Sequence, residues 1–180
     1  ASHSVMSSIS SILTEPVMPW DSLICTSKSV LNTVNKILES KSEFLNIKFN
    51  SSSTILPKFP IIPLGINCED FNFSEQYRKS SREELLINED DIVIAYVGRL
   101  SFHAKSHHVP MYLALENLSK KLKKNQKIHL IQTGWFANDF IENSFKDETD
   151  IICPSVNCIF LDGRNQDLKF KTLASADIFM

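Results

Sequence analysis

The sequence predicts an α/β fold built on a parallel sheet with helices on its faces. Three strand-like segments in the second half of the chain, "DIVIAYVG", "KIHLIQTG" and "NCIFLDG", each end in a glycine. Their apolar residues run continuously instead of alternating, as in strands that are buried on both faces. A helix-like segment separates each strand from the next, and this alternation is typical of parallel sheets.

The first third of the chain predicts a smaller α/β region. "DSLICTS" is expected to form a short strand, and Thr26 or Ser27 can cap the helix that follows it. That helix carries apolar residues at helical spacing from Val30 to Leu38. "PIIPLGINCEDF" reads as a second short strand, interrupted by proline and glycine. We therefore expect a first domain at 1–71, a polar linker at 72–81 and a second domain at 82–180.

Within the second domain, helices are predicted before and between the strands. "SREELLI" is a short helix, and "VPMYLALENLSKKLKK" is a longer one with Pro110 in its first turn, where a missing N–H costs nothing. "NDFIENSFKDE" and "NQDLKFKTLASA" follow the second and third strands, and "DIFM" begins a fourth strand. The chain stops inside that strand, so we expect a piece of a longer protein, incomplete at both ends.

Composition excludes some classes of partner. The 180 residues are 43% hydrophobic and 22% charged, with a net charge of −2. Proteins that bind nucleic acid usually carry a basic excess, so no nucleic-acid partner is expected. The apolar runs are far shorter than the ~20 residues of a membrane span. The chain has four cysteines, Cys25, Cys68, Cys153 and Cys158. Three of the four lie in or beside apolar segments, which favours reduced thiols and a cytoplasmic location.

Only four glycines occur, and three of them, Gly98, Gly134 and Gly163, end the three strands. Ligands of open parallel sheets bind outside that carboxyl edge, although turn glycines are also common there. Arg99 and Lys105 follow the first of these glycines, and both side chains suit phosphate. Neither G-x-x-x-x-G-K-[ST] nor G-x-G-x-x-G is present, so the residues alone leave a solvated loop as the alternative.

Several segments occur in the order known from one enzyme family. "PIIPLGINCEDF" and "REELLINEDDIVIAYVGRLSFHAKSH" resemble the end of the N-terminal domain and the start of the C-terminal domain of family 4 glycosyltransferases (GT4). "KIHLIQTG", "NCIFLDG" and "LASADIFM" resemble the strands that follow, and "LICTSKSV" looks like an N-domain strand and helix. The resemblance covers nearly the whole chain and implies the GT-B fold, with two Rossmann-like domains.

The resemblance implies a retaining glycosyltransferase whose donor is a nucleotide-diphosphate sugar. The matching positions of the family imply that Gly98, Arg99 and Lys105 bind the donor diphosphate and neutralise charge on the departing nucleoside diphosphate. No metal or other cofactor is then required. The acceptor class stays open among lipid, glycan and small molecule, and a lipid acceptor would bring the intact enzyme to a membrane.

Further site residues are implied by the same resemblance. Gly134, Gly163 and Arg164 would line the nucleotide side of the cleft. His3, in "SHSVMSS", resembles a histidine that some relatives place near the transferred sugar, and it is the candidate catalytic residue. The alternative for His3 is a polar loop residue.

The chain departs from the family pattern at three places. Arg99 and Lys105 stand one position farther apart than in the family, and Ser106 replaces a glycine. Trp135 follows Gly134 in place of the family's usual glycine motif, and we expect it to fill core rather than contact a base. The family's paired glutamates would lie beyond residue 180, so we expect residues 1–180 by themselves to have little or no transferase activity.

Two other functions remain open from the sequence. A nucleotide-sugar epimerase would use the same scaffold, and a nucleotide-binding module would bind without turnover. A metal site at His103 and His107 is not favoured, because no carboxylate partner is evident and Pro110 follows.

Overall fold

The computed structural model describes residues 3–51, 55–105, 107–123 and 125–180. The chain divides into two compact units, Ala1–Ile66 and Asn67–Met180. The division thus falls after Ile66, whereas the sequence placed the end of the first domain at residue 71. None of the described helices is long and apolar enough to cross a membrane.

The first unit contains two helices, α1 (His3–Ser11) and α2 (Lys28–Phe49). Ser27 caps α2, because its side-chain oxygen accepts a hydrogen bond from the backbone N–H of Val30. The apolar face of α2 packs with α1 and with the segment before it. Its buried core consists of Leu13, Cys25, Val34 and Leu38.

The strand predicted at 21–27 is much shorter than expected. Two isolated parallel bridges remain, Ser22 with Lys58 and Cys25 with Ile61. The partner segment carries Pro60, which has no N–H to donate and so interrupts the ladder of hydrogen bonds.

The second unit holds a four-stranded sheet in which all strands run parallel. The order across the sheet is β3-β2-β1-β4. In this register Ile94 of the first strand lies beside Leu130 on one side and Ile178 on the other. The parallel α/β sheet predicted from the sequence is therefore confirmed. The strands are β1 (Ile92–Val97), β2 (Ile128–Gly134), β3 (Asn157–Asp162) and β4 (Ile178–Phe179).

Helices cover both faces of this sheet. Alternate side chains of the strands enter separate clusters: Ile94 and Leu130 pack towards Tyr112, whereas Val93 and Ile131 pack with Ile87. The two pairs of packed helices are α4 with α5 and α3 with α6. The helices are α3 (Glu75–Glu84), α4 (His108–Ser119), α5 (Asp139–Ile152) and α6 (Gln166–Ser175), and a 3-10 turn spans Cys68–Phe71.

The segment predicted as a linker, 72–81, is largely helical. Helix α3 begins after Ser74, whose side chain accepts a hydrogen bond from the Tyr77 N–H, and it packs on α6 inside the second unit. The polar composition of the segment suggested solvent exposure. Its cations instead reach the end of α6: the Arg78 guanidinium donates to the carbonyls of Ala174 and Ala176.

Arg82 joins four parts of the second unit. The side chain is buried, with 4% of the residue exposed. Its guanidinium donates to the Ser175 carbonyl at the end of α6 (2.9 and 3.1 Å) and to the Glu89 carbonyl before β1 (2.9 Å). It also forms an ion pair with Asp177 at 2.8 Å, next to β4. A buried cation is tolerated here because carbonyls and a carboxylate surround it.

Candidate functional site

The three strand-ending glycines meet at the carboxyl edge of the sheet. The Gly98 N–H donates to the Thr133 carbonyl at 3.0 Å, and the Gly163 N–H donates to the Gly134 carbonyl at 2.8 Å. A Cβ on Gly134 would lie 1.9 Å from the Gly98 oxygen, and one on Gly163 would lie 2.7 Å from the Gly134 Cα. Backbone therefore packs on backbone at this edge, and a side chain at either position would separate the strands. We call these three residues the glycine floor.

The first candidate phosphate ligand, Arg99, is exposed directly after the glycine floor. Its guanidinium carbon lies 5.9 Å from the centre of the Trp135 ring, a cation–π contact. The Tyr96 hydroxyl donates to the Arg99 carbonyl at 3.2 Å, which holds the backbone of this turn. Among the described residues the Arg99 guanidinium has no carboxylate partner within 4 Å.

The second candidate, Lys105, lies in the loop between β1 and α4. Its backbone N–H donates to the Ser101 carbonyl at 3.0 Å, and its side chain is exposed. Ser106, where the sequence departs from the family pattern, lies outside the described residues. The structure thus places Arg99 and Lys105 on one loop after β1, with no ion pair to either within the described part of the chain.

Both ends of the loop from 100 to 107 are anchored to the protein. At its start, the Leu100 N–H donates to the Trp135 carbonyl at 3.1 Å, and Leu100 is buried with Ile141 and Phe145. The beginning of the loop is therefore fixed to the end of β2 and to α5.

His108 anchors the other end. It is buried, with 1% exposed, and its ring stacks on Phe145 with 3.8 Å between centroids. Its Nε2 lies 2.7 Å from the Glu148 carboxylate, which also accepts from the Ser144 hydroxyl. Burial lowers the pKa of His108, and the attraction of Glu148 only partly offsets this effect. His108 is therefore neutral near pH 7, with Nε2–H donating to Glu148.

A cavity of about 350 Å³ opens between the ends of β2 and β3 and the start of α5. Helix α5 is capped by Asn138, whose side-chain oxygen accepts from the Ile141 N–H at 3.0 Å. The walls combine aromatic and charged side chains. The cavity is lined by Gly134, Trp135, Phe136, Ala137, Asn138, Asp139, Glu142, Lys146, Phe160, Leu161, Asp162 and Arg164.

Most charges in this cavity are paired. The Arg164 Nε and Nη2 donate to the two oxygens of Asp162 at 2.9 and 3.0 Å, and Lys146 pairs with Glu142 at 2.6 Å. Hydrogen bonds from Arg164 hold the pKa of the Asp162 carboxyl below its usual value. Arg164, a predicted nucleotide-side residue, therefore reaches the cavity wall with its charge already compensated.

The sequence led us to expect Trp135 in the core, and this expectation is wrong. Trp135 is 43% exposed and forms part of the cavity wall. The reason is its position: it follows Gly134 at the carboxyl edge of the sheet, beyond the buried part of β2. Phe136 and Phe160 also lie in the wall and were not singled out from the sequence. Phe136 could have been found, because it forms an aromatic pair with Trp135 directly after Gly134.

His3 lies in the first unit, at the start of α1, and its side chain is exposed. It borders a groove of about 580 Å³ between α1 and α2, which also includes Ser7, Lys36, Lys41 and Phe44. All other predicted site residues belong to the second unit. Within the described residues no cluster of histidine, cysteine, aspartate and glutamate side chains is arranged to hold a metal ion, and this includes His103 and His107.

No protein-family model matches the sequence, and a search of curated proteins finds no significant match. Among solved structures, the crystal structure of Anabaena Alr3699/HepE in complex with UDP and glucose is similar, with a TM-score of 0.51 and 13% sequence identity. The similarity covers 88% of this chain and 45% of that chain, so the chain spans less than half of that protein's length. At this identity the comparison shows the fold, a Rossmann-like α/β fold of the GT-B type.

Proposed function

We propose that the chain provides the nucleotide-sugar binding part of a GT4-type retaining glycosyltransferase. The observation that carries the proposal is the glycine floor with Arg99 and Lys105 on the loop that follows it. Ligands of open parallel sheets bind at this edge, and the two cations suit a diphosphate. The fold supports the proposal, since the similar protein Alr3699/HepE was crystallised with UDP and glucose.

In the proposed reaction, the bond between the sugar C1 and the diphosphate oxygen breaks, and its electron pair goes to that oxygen. The acceptor hydroxyl oxygen bonds to C1 on the same face, and its proton passes to the departing phosphate. Arg99 and Lys105 stabilise the negative charge that develops on the diphosphate, which is the role that a divalent metal fills in other transferases. The proposed reaction is therefore metal-independent.

The loop that carries Lys105 is suited to this role because both of its ends are anchored. Fixed cations cost no reorganisation when charge develops, whereas a freely moving loop would have to be ordered first. Arg99 is further restrained by its contact with Trp135. Its planar guanidinium can bind two phosphate oxygens at once, and the Lys105 ammonium adds a point charge.

Nucleotide binding provides the test. We expect UDP or GDP to bind the chain in isothermal titration calorimetry without added metal, and Lys105→Ala to weaken binding at least about tenfold, as expected for a lost charge-assisted contact. Lys79→Ala is the matched control, because Lys79 is an exposed lysine of the second unit on α3. Equal affinities of the Lys105→Ala and Lys79→Ala variants would remove Lys105 from the site, and no binding of either nucleotide would refute the proposal.

A further inference from the structure

We propose that Trp135 is the surface on which the nucleotide base stacks, and that the cavity beside it receives the base and ribose. This inference rests on the proposed function and adds a residue that determines how the nucleoside is held. The cavity and the cationic loop then bind different parts of one ligand. The nucleoside binds in the cavity, and the diphosphate binds Arg99 and Lys105.

The exposure of Trp135 is the first observation. Tryptophan is highly buried on average in folded proteins, yet this ring is 43% exposed on the wall of a cavity. Its backbone is fixed, since its carbonyl accepts the Leu100 N–H at 3.1 Å. A partly open aromatic ring on an anchored backbone, beside a concave space, is suited to stacking, because every base presents a flat π face.

The size and lining of the cavity are the second observation. Its volume of about 350 Å³ lies at the lower end of the roughly 300–1,000 Å³ of small-molecule sites. Phe136, Phe160 and Leu161 contribute apolar surface next to Trp135, and polar groups make up the larger part of the lining. A base has a flat face that can stack and an edge that forms hydrogen bonds, so it matches a wall of this mixed character.

The charges of the cavity are the third observation, and they argue against phosphate there. Asp139, Glu142 and Asp162 contribute three carboxylates, whereas Lys146 and Arg164 contribute two cations that are already paired. The wall therefore has a small negative excess, which repels a diphosphate but accepts a neutral nucleoside. The two cations proposed to hold the diphosphate, Arg99 and Lys105, are not part of the wall.

The contact between Arg99 and Trp135 connects the two parts. The guanidinium carbon lies 5.9 Å from the centre of the indole ring, so the first phosphate ligand is adjacent to the proposed base platform. A base on Trp135 thus places the attached diphosphate next to Arg99. The same contact supplies the competing explanation, in which Trp135 acts only by positioning Arg99.

A ligand without a base separates these two explanations. Wild type, Trp135→Leu, Trp135→Phe and the control Trp20→Leu are titrated calorimetrically with UDP, GDP and inorganic pyrophosphate. Trp20 is 70% exposed and lies in the first unit, so its variant controls for loss of an exposed indole. Circular dichroism and the melting temperature establish that each variant is folded.

We expect Trp135→Leu to weaken binding of the better-binding nucleotide by about 5- to 150-fold, the range for one lost base–aromatic stack. Pyrophosphate binding should weaken much less, because that ligand loses only the restraint that Trp135 places on Arg99. Trp135→Phe should restore most of the affinity, because its ring keeps a stacking face. In a Trp20→Phe background, the remaining Trp135 fluorescence should be quenched by the nucleotide and not by pyrophosphate.

Equal losses of nucleotide and pyrophosphate affinity in Trp135→Leu would overturn the inference, because Trp135 would then act through Arg99. An unchanged nucleotide affinity in Trp135→Leu would overturn it as well. In both cases the proposed function stands if Lys105→Ala still weakens nucleotide binding. If wild type binds neither UDP nor GDP, the proposed function and this inference are both refuted.

Discussion

Replacement of Gly134 by alanine tests whether the glycine floor is as tightly packed as the structure shows. The new Cβ would lie 1.9 Å from the Gly98 carbonyl oxygen and 3.0 Å from the Leu100 Cγ. Real Cβ atoms essentially never approach another heavy atom closer than 3.0 Å. The obstacle is main chain on the neighbouring strand, so no side-chain rotation can relieve it and the ends of β1 and β2 must move apart.

The expected cost has two parts. Overpacking of a dense interior costs about 1–3 kcal/mol, and each backbone hydrogen bond lost as the strands separate adds roughly 1 kcal/mol. We therefore expect Gly134→Ala to lower the free energy of unfolding of the second unit by about 2–4 kcal/mol. For a unit of this size, that corresponds to a decrease in melting temperature of roughly 8–16 °C.

Urea unfolding followed by Trp135 fluorescence measures this cost. In a Trp20→Phe background the signal reports the second unit alone, because Trp135 is then the only tryptophan. Gly98→Ala is the control in the same unit: its Cβ would first meet the Tyr96 hydroxyl at 3.0 Å, and that side chain can move. Gly65 lies in the first unit and a new Cβ there would have nothing within 4 Å, so Gly65→Ala should leave the unfolding of the second unit unchanged. A Gly134→Ala variant as stable as Gly98→Ala would refute the close approach of the two strands.

Two further predictions concern buried ionisable side chains of the second unit, Arg82 and His108. Arg82→Met should lower the free energy of unfolding by about 3–5 kcal/mol, because the carbonyls of Ser175, Glu89 and Asp91 lose their donor, while Asp177 keeps its ion pair with Arg78. Lys79→Met on the same helix should change it by less than about 0.5 kcal/mol, and a similar loss in both variants would contradict the role of Arg82. Burial lowers the pKa of His108, so below about pH 6.5 the unfolded state binds a proton that the folded state does not. The free energy of unfolding therefore decreases as the pH is lowered, until the pH passes below the pKa of His108 in the folded state. His108→Gln should flatten the dependence of the urea midpoint on pH between 7 and 5. An unaltered slope in His108→Gln would show that this ring is not responsible.

Strands β1, β2 and β3 could be predicted because each is a continuous apolar run that ends at a glycine. Their order could not, since the position of β4 beside β1 depends on how α6 crosses the sheet. The sequence placed a linker at 72–81 because polarity there resembled exposure. Arg78 shows what polarity alone does not reveal: its partners are the carbonyls of Ala174 and Ala176, which lie 96 and 98 residues away in the chain.

The candidate site was predictable in part for a similar reason. The sequence singles out Gly98, Arg99 and Lys105 because they follow one strand closely, and their role in binding stays a prediction. The wall that faces Trp135 could not be found, because Phe160 and the pairs of Lys146 with Glu142 and of Arg164 with Asp162 come from other elements. A single sequence shows which residues follow a strand, but it does not show which residues of the next strand they will meet.

The glycine floor also limits where selectivity can arise. Main chain offers the same N–H and carbonyl groups to every ligand, so the floor itself cannot distinguish one ligand from another. Each of its glycines is followed at once by a large side chain: Arg99 after the first, Trp135 after the second and Arg164 after the third. New specificity in this fold would then be acquired by exchanging those three residues, while the glycines before Trp135 and Arg164 stay constant because the packing of the strands permits nothing else.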